Sequence, residues 1–171
     1  MNDLSFLASA KIGKTHGLDG FLNITSLSGE VKHLEKLKEG KAELKDGRTV
    51  DLVVESVRLL SSSLQMKFSG YDTPEKARTL SGSVLYVHRK DASPLKKGEY
   101  YVADLFGLKL ISEKIVVGTV IGVSEGSQAL LLEIEKEDGK RSYIPNMKPF
   151  VGKPDFEKGV MELLEKDLLS L

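Results

Sequence analysis

The chain has 171 residues, of which 40% are apolar and 29% are charged, as in an ordinary soluble globular protein. Its 25 basic and 25 acidic residues give a formal net charge of +0, which excludes a uniformly basic coat for nucleic acid. Cysteine is absent, which excludes disulfides, thiolate zinc sites and cysteine nucleophiles and fits a reducing cytoplasm.

No segment predicts export or membrane insertion. The N-terminus lacks the basic region of a signal peptide, and the longest apolar stretch, residues 115–123, is interrupted by glycine and threonine. That stretch is far shorter than the roughly 20 residues that span a bilayer. We therefore expect a cytoplasmic monomer that makes no contact with membranes.

The chain opens with two predicted strands. Residues 6–12 mix apolar and small side chains and predict a strand that ends at Gly13. The run that follows, Gly13-Lys14-Thr15, invites comparison with a phosphate-binding P-loop, but that motif needs a glycine where the chain has Ala8, and a helix afterwards. Instead, residues 21–25 alternate between apolar and polar, which predicts a strand. We interpret residues 13–20 as a glycine-rich loop between two strands.

The rest of the first half continues this pattern. Residues 31–37 predict a loop or a helical turn, and Asp46-Gly47 between two alternating runs predicts a hairpin. Strands are predicted at 64–68 and 83–87, with a short helix between them that Thr73 caps and Pro74 begins. About six strands and one short helix in ~90 residues suit a small closed barrel.

The second half begins with two adjacent tyrosines, Tyr100 and Tyr101. On an extended segment their rings point to opposite faces, so one can enter a core while the other stays near the surface. Asp104 can bond backbone N–H groups and close a turn, and Gly107 can adopt a conformation that other residues avoid. This segment predicts a strand, a tight corner and a second strand at residues 108–111.

The remaining segments also predict strands. Residues 115–123 are β-branched with internal glycines, which mark bulges or bends. Residues 129–135 and 141–145 flank a second hairpin signal, Asp138-Gly139. A loop with aromatic residues and prolines, residues 146–156, precedes a last strand at 160–164 and a tail that predicts a short helix.

Two motifs in these segments resemble a known family. G-x-x-H-G-L-x-G at residues 13–20 and E-Y-Y-x-x-D-L-x-G at residues 99–107 are similar to signatures of the ribosome maturation factor RimM family. The second motif resembles the entry to that family's PRC-barrel domain. The positions that carry the structural part of the resemblance are Gly13, His16, Gly17, Gly20, Asp104, Leu105 and Gly107.

The resemblance implies an all-β fold of two small β-barrel domains joined by a short linker, with one or two short helices. We expect the N-terminal barrel at residues 1–90, the linker at 91–98 and the PRC-barrel at 99–171. The chain departs from the family in two places. Asp19 stands where a basic residue is usual, which leaves open whether this loop contacts RNA or Asp19 caps a turn. Residues 153–155 also differ from the commoner pattern.

The resemblance also implies partners and no cofactor. It implies a ribosome assembly factor that binds the immature 30S subunit through a ribosomal protein of the head, small-subunit protein nineteen (S-nineteen), and through nearby rRNA. Tyr100 and Tyr101 are the implied partner-binding residues, although the residues alone favour a purely structural role for both. Phe150 and Phe156 are weaker candidates. Candidate rRNA contacts are Lys11, Lys14, Arg48 and Arg58.

Catalysis is not expected. The sequence has no G-x-S-x-G, H-E-x-x-H or G-x-G-x-x-G motif, and its three histidines have no metal-ligand spacing. The alternative function is a PRC-barrel interaction adaptor that acts outside the ribosome. The N-terminal motif argues against that alternative, because a generic adaptor does not need the first barrel.

Overall fold

The computed structural model describes residues 5–60 and 63–169. The chain divides into two compact units, Met1–Lys97 and Gly98–Leu171, and both are built mainly from strands. This confirms the expected all-β class. The division falls inside the segment 91–98, whose assignment as a linker stays a prediction.

The first unit is a closed barrel, in which the strands pair in the order β1-β2-β5-β4-β3-β6. Side chains alternate between the interior and the outer surface. In the fifth strand, for example, Leu64, Met66 and Phe68 are buried while Lys67 reaches the surface. Closure leaves no open sheet edge. The strands are β1 (Phe6–His16), β2 (Phe21–Ser26), β3 (Glu39–Glu43), β4 (Thr49–Leu59), β5 (Leu64–Phe68) and β6 (Val84–His88).

Part of the loop predicted at residues 13–20 belongs to the strand β1. The sequence predicted that β1 ends at Gly13, but β1 continues to His16 and pairs with β2, as in the His16–Phe21 pair. A bulge between Ile12 and Thr15 lets the strand bend around the barrel. The turn is therefore confined to residues 17–20, and the strand geometry is incompatible with a P-loop.

The local signals for helices and hairpins are confirmed. Helix α2 (Pro74–Arg78) begins where predicted, and the Thr73 side chain accepts a hydrogen bond from the Lys76 N–H at 3.4 Å. The Asp46-Gly47 turn joins β3 to β4. Residues 31–37, predicted as a loop or a helical turn, contain the single-turn helix α1 (Lys32–Glu35).

The second unit is a five-stranded sheet in the order β10-β9-β8-β7-β11, with β11 parallel to β7. One face of the sheet carries a core of Leu110, Val120, Leu132, Ile134 and Ile144. A register shift between Val120 and Gly122 bends the long strand, as its glycines predicted. The strands are β7 (Lys109–Ser112), β8 (Ile115–Glu125), β9 (Leu130–Glu135), β10 (Arg141–Pro145) and β11 (Val160–Glu162).

His33, on α1, makes the first unit sensitive to acid. Both of its ring nitrogens are buried, and neither has a hydrogen-bond partner within the described part of the chain. Burial lowers the pKa of His33 below 6.5, and the nearby Glu30 charge only partly opposes this shift. Because the unfolded chain then binds the proton more readily, the first unit loses stability as the pH falls below about 6.5.

We expect wild-type protein to lose more unfolding free energy than a His33→Leu variant when the pH is lowered from about 7.5 to about 5.5. Urea unfolding followed through NMR signals of the first unit measures this difference. The matched control is His16→Gln, which removes an exposed histidine from the same unit. Identical pH dependence in wild type and His33→Leu would contradict the assignment.

Candidate partner-binding site

Asp104 closes a turn directly after the two tyrosines. Its N–H donates to the Tyr101 carbonyl oxygen at 2.9 Å, and its Oδ2 accepts from the Tyr101 N–H at 3.3 Å. The residues between them belong to a 3₁₀ helix, Val102–Leu105, that buries Leu105 in the core. Gly107 follows with φ +82, which suits glycine. Asp104 and Gly107 therefore have the local roles that the sequence indicated.

The strand predicted at the tyrosines is wrong. Tyr101 has extended backbone angles, φ −78 and ψ 142, but residues 99–101 lie outside the strands. The reciprocal hydrogen bonds with Asp104 turn the chain before it can pair with a neighbouring strand. The two rings also do not divide into one buried and one exposed, because both are half-buried.

Tyr100 connects the turn at Asp104 to the loop of residues 146–156, which we call the aromatic loop. Its ring packs against the core of the second unit and contacts Phe156, with centroids 5.5 Å apart and planes at 60°. Its hydroxyl oxygen accepts a hydrogen bond from Asn146 Nδ2 at 3.2 Å. Phe150 packs against the same core. The structure thus brings the predicted partner-binding residues onto one compact unit.

Regular turns position the two phenylalanines. The N–H of Phe150 donates to the Met147 carbonyl oxygen at 3.0 Å. Phe156 follows Asp155, whose Oδ1 accepts from the Lys158 N–H at 3.0 Å, and this hydrogen bond lowers the pKa of Asp155. Both rings are therefore held on hydrogen-bonded turns, which reduces the ordering entropy that binding costs.

We call Tyr100, Tyr101, Asn146, Phe150 and Phe156 the aromatic site. Phe156 is 44% exposed, and the three other rings are half-buried. Large rigid rings with a hydroxyl group at the surface are typical of protein-contact surfaces. Asn146 was not predicted from the sequence, and its position next to Pro145 in the aromatic loop was the available signal. Exposed apolar side chains in the same segments are Val102, Phe106 and Met147.

The four candidate rRNA contacts lie on β1, on β4 and in the turn between β3 and β4. Lys11 and Lys14 are both exposed on β1. Arg48, in the β3–β4 turn, pairs with Asp46 Oδ2 at 2.8 Å, and hydrogen bonds from its backbone and side chain lower the pKa of Asp46. The guanidinium carbon of Arg58 lies 3.6 Å from the centroid of the Phe21 ring. Only the two lysines are thus placed on the same strand.

Residues 5–60 and 63–169 contain no group of three or more His, Asp or Glu side chains arranged to hold a metal ion. No helix in these ranges is both long and apolar enough to cross a membrane.

Two family models match the chain. The RimM N-terminal domain matches residues 7–92, and the RimM PRC barrel domain matches residues 102–167. The ribosome maturation factor RimM of Treponema denticola is 36% identical over 184 residues, covering 98% of this chain and 100% of that protein. The factor of the same name from Clostridioides difficile is 30% identical over 159 residues, covering 92% of each chain.

The chain is also similar to a solved structure. The crystal structure of a Pseudomonas aeruginosa protein described as a 16S ribosomal RNA processing protein RimM has a TM-score of 0.46 and 22% identity. The similarity covers 92% of this chain and 96% of that one.

Proposed function

Because the chain belongs to the RimM family of ribosome maturation factors, we propose that it binds the immature 30S subunit and promotes maturation of the 30S head and processing of small-subunit rRNA. The partner that we propose for the second unit is S-nineteen, a ribosomal protein of the head. The aromatic site is the observation that carries this proposal.

The aromatic site supports a protein partner for two physical reasons. Tyr101 and Phe156 offer ring surface at the exterior, and removing such rings from water favours association. The site is also preorganised, since Asn146 holds the Tyr100 hydroxyl and Asp104 holds the Tyr101 backbone. Less conformational entropy is then lost when the partner binds.

The proposed mechanism needs no chemical step. A factor that binds one conformation of the nascent head more tightly than the others increases the population of that conformation. The 3′ major domain of the rRNA and its head proteins then assemble around it, and the factor leaves before translation. No cofactor takes part in this mechanism.

We propose that rRNA contributes through phosphate contacts on the first unit. Lys11 and Lys14 are the strongest candidates, because both are exposed and lie on one strand. Arg48 and Arg58 are weaker, because Asp46 and the Phe21 ring already engage them. With two phosphate contacts, the logarithm of the association constant should fall by about 1.5 for each tenfold increase in salt concentration.

Sedimentation with ribosomal particles tests the proposed function. We expect the full chain to co-sediment with free 30S particles from an assembly-impaired strain and not with 70S ribosomes. Titration with isolated S-nineteen should show saturable binding. Equal distribution along the gradient, or no binding to subunits, would favour the alternative adaptor function. The match of the first unit to a RimM domain argues against that alternative.

A further inference from the structure

The first unit has a small cavity on its outer surface. The residues that line it are separate in sequence from those of the aromatic site. Four strands form it, and the side chains alternate so that Leu7, Leu52 and Leu85 point into the core while their neighbours face outward. The cavity has a volume of about 210 Å³. It is lined by Phe6, Glu39, Gly40, Lys41, Asp51, Leu52, Val53 and His88.

An aromatic pair forms one wall of the cavity. Phe6 and His88 are directly opposite each other on β1 and β6, with ring centroids 4.1 Å apart and planes at 36°. The Lys41 ammonium group lies 5.0 Å from the centroid of the Phe6 ring. A positive charge near a ring centroid is attracted by the electron-rich face of the ring. The chain's own lysine therefore shows that this wall accepts a cation.

Asp51 and Glu39, the carboxylates that line the cavity, differ in their interactions with neighbouring side chains. Asp51 Oδ1 accepts from Lys41 Nζ at 2.7 Å, so this pair is internally balanced. Glu39 Oε1 lies 3.7 Å from His88 Nε2, which is longer than a hydrogen bond, and its side chain is 63% exposed. Glu39 is thus a carboxylate at the rim that can accept hydrogen bonds from an incoming donor.

The size of the cavity limits what can enter. Pockets for drug-sized ligands have volumes of about 300–1,000 Å³. A volume of about 210 Å³ instead suits a single long side chain. Of the cationic side chains, arginine fits best, because its planar guanidinium group can stack on a ring while its N–H groups bond a carboxylate.

We propose that this cavity receives the arginine side chain of a partner protein, with the guanidinium group beside the Phe6–His88 pair and hydrogen-bonded to Glu39. The site lies on the first unit only. It adds a second contact to the proposed function and does not depend on the aromatic site.

The same observations argue against an anionic occupant. A phosphate group or nucleotide would meet the carboxylates of Glu39 and Asp51, and Lys41 is already paired with Asp51. A divalent cation is also disfavoured. The described residues contain no group of three or more His, Asp or Glu side chains that could hold a metal, at this cavity or elsewhere.

The test is an NMR titration of the full chain with a capped tripeptide, acetyl-Gly-Arg-Gly-amide. We expect saturable shifts of the backbone amides of Phe6, Gly40, Val53 and His88, with a dissociation constant on the order of 1 mM. Glu39→Gln should weaken binding by about five-fold, since it removes the accepting charge. Lys41→Met should strengthen binding by about three-fold, because it removes a competing cation and keeps the apolar stem.

Two controls separate this proposal from its alternatives. Glu35→Gln removes the same charge from the same unit outside the cavity, and it should leave the affinity unchanged. Adenosine monophosphate, used as an anionic and aromatic probe, should leave the four amides unshifted. The proposal is overturned if the arginine peptide does not saturate, if Glu35→Gln matches Glu39→Gln, or if Lys41→Met weakens binding. Saturable shifts with adenosine monophosphate would also overturn it and would point to a nucleotide.

Discussion

A Tyr101→Ala variant is expected to bind isolated S-nineteen about 30-fold more weakly than wild type, a loss of about 2 kcal/mol. The physical reason is that a tyrosine at the centre of an interface brings a large rigid ring and one polar atom, and truncation to alanine removes both. Calorimetric titration of the full chain with S-nineteen measures the change.

Tyr101 is a better position for this test than Tyr100. The Tyr100 ring packs against the core, contacts Phe156 and accepts a hydrogen bond from Asn146, so its removal would also destabilise the second unit. A loss of binding in Tyr100→Ala would therefore mix stability with recognition. Tyr100→Phe keeps the ring in the core and removes only the hydroxyl group.

The matched control is Tyr143→Ala, which removes a 56% exposed tyrosine from β10 of the same unit, outside the aromatic site. This variant should bind S-nineteen like wild type. A thermal melt of each variant checks that the second unit remains folded. If Tyr143→Ala and Tyr101→Ala weaken binding equally, or if Tyr101→Ala binds normally, the aromatic site is not the contact surface.

Gly20→Ala is expected to destabilise the first unit by about 3 kcal/mol. Gly20 has φ +79, a conformation that costs a residue with a Cβ atom about 1–2 kcal/mol. An added Cβ would in addition overlap the carbonyl oxygen of Tyr71. Because that oxygen belongs to the backbone, the two chain segments must move apart to make room.

Gly17→Ala is the control, since it separates these two costs. Gly17 also has a positive φ, +70, but among the described residues no heavy atom beyond its own chain neighbours lies within 4 Å of the position that its Cβ would occupy. We expect Gly17→Ala to cost about 1 kcal/mol, which leaves a difference of about 2 kcal/mol for the contact with Tyr71. Urea unfolding of both variants, followed through NMR signals of the first unit, measures it. Equal losses would mean that the contact with Tyr71 carries no cost.

Local signals in the sequence determined much of the fold. Thr73 and Pro74 predicted the start of α2. An N-cap hydroxyl bonds a free N–H group of the first turn, and proline already has the backbone angle of the first helical position, so both effects depend only on residues of the helix itself. Asp46-Gly47 predicted the β3–β4 hairpin for a similar reason, since the turn depends on its own two residues. Alternation of apolar and polar residues indicated the strands that form each core.

The two errors have different physical origins. The sequence placed the end of β1 at Gly13, but the bulge after Ile12 lets the strand continue, and pairing with β2 maintains it, so that outcome depends on a partner strand. At Tyr101 the backbone is extended, but the local hydrogen bonds with Asp104 turn the chain, so that error lies in the interpretation of neighbouring residues.

By itself, the sequence determined the all-β class, the turn at Asp104 and the family motifs, because each depends on neighbours within a few residues. Only the tertiary structure decided that Tyr100 meets Asn146 and Phe156, and that Phe6, Lys41 and Glu39 share one cavity. The contacts of Tyr100 join residues far apart in the chain, and those in the cavity follow from strand register and barrel closure. A one-residue change of register would turn the Phe6, Lys41 and Glu39 side chains to the opposite face, and no local pattern specifies that choice completely.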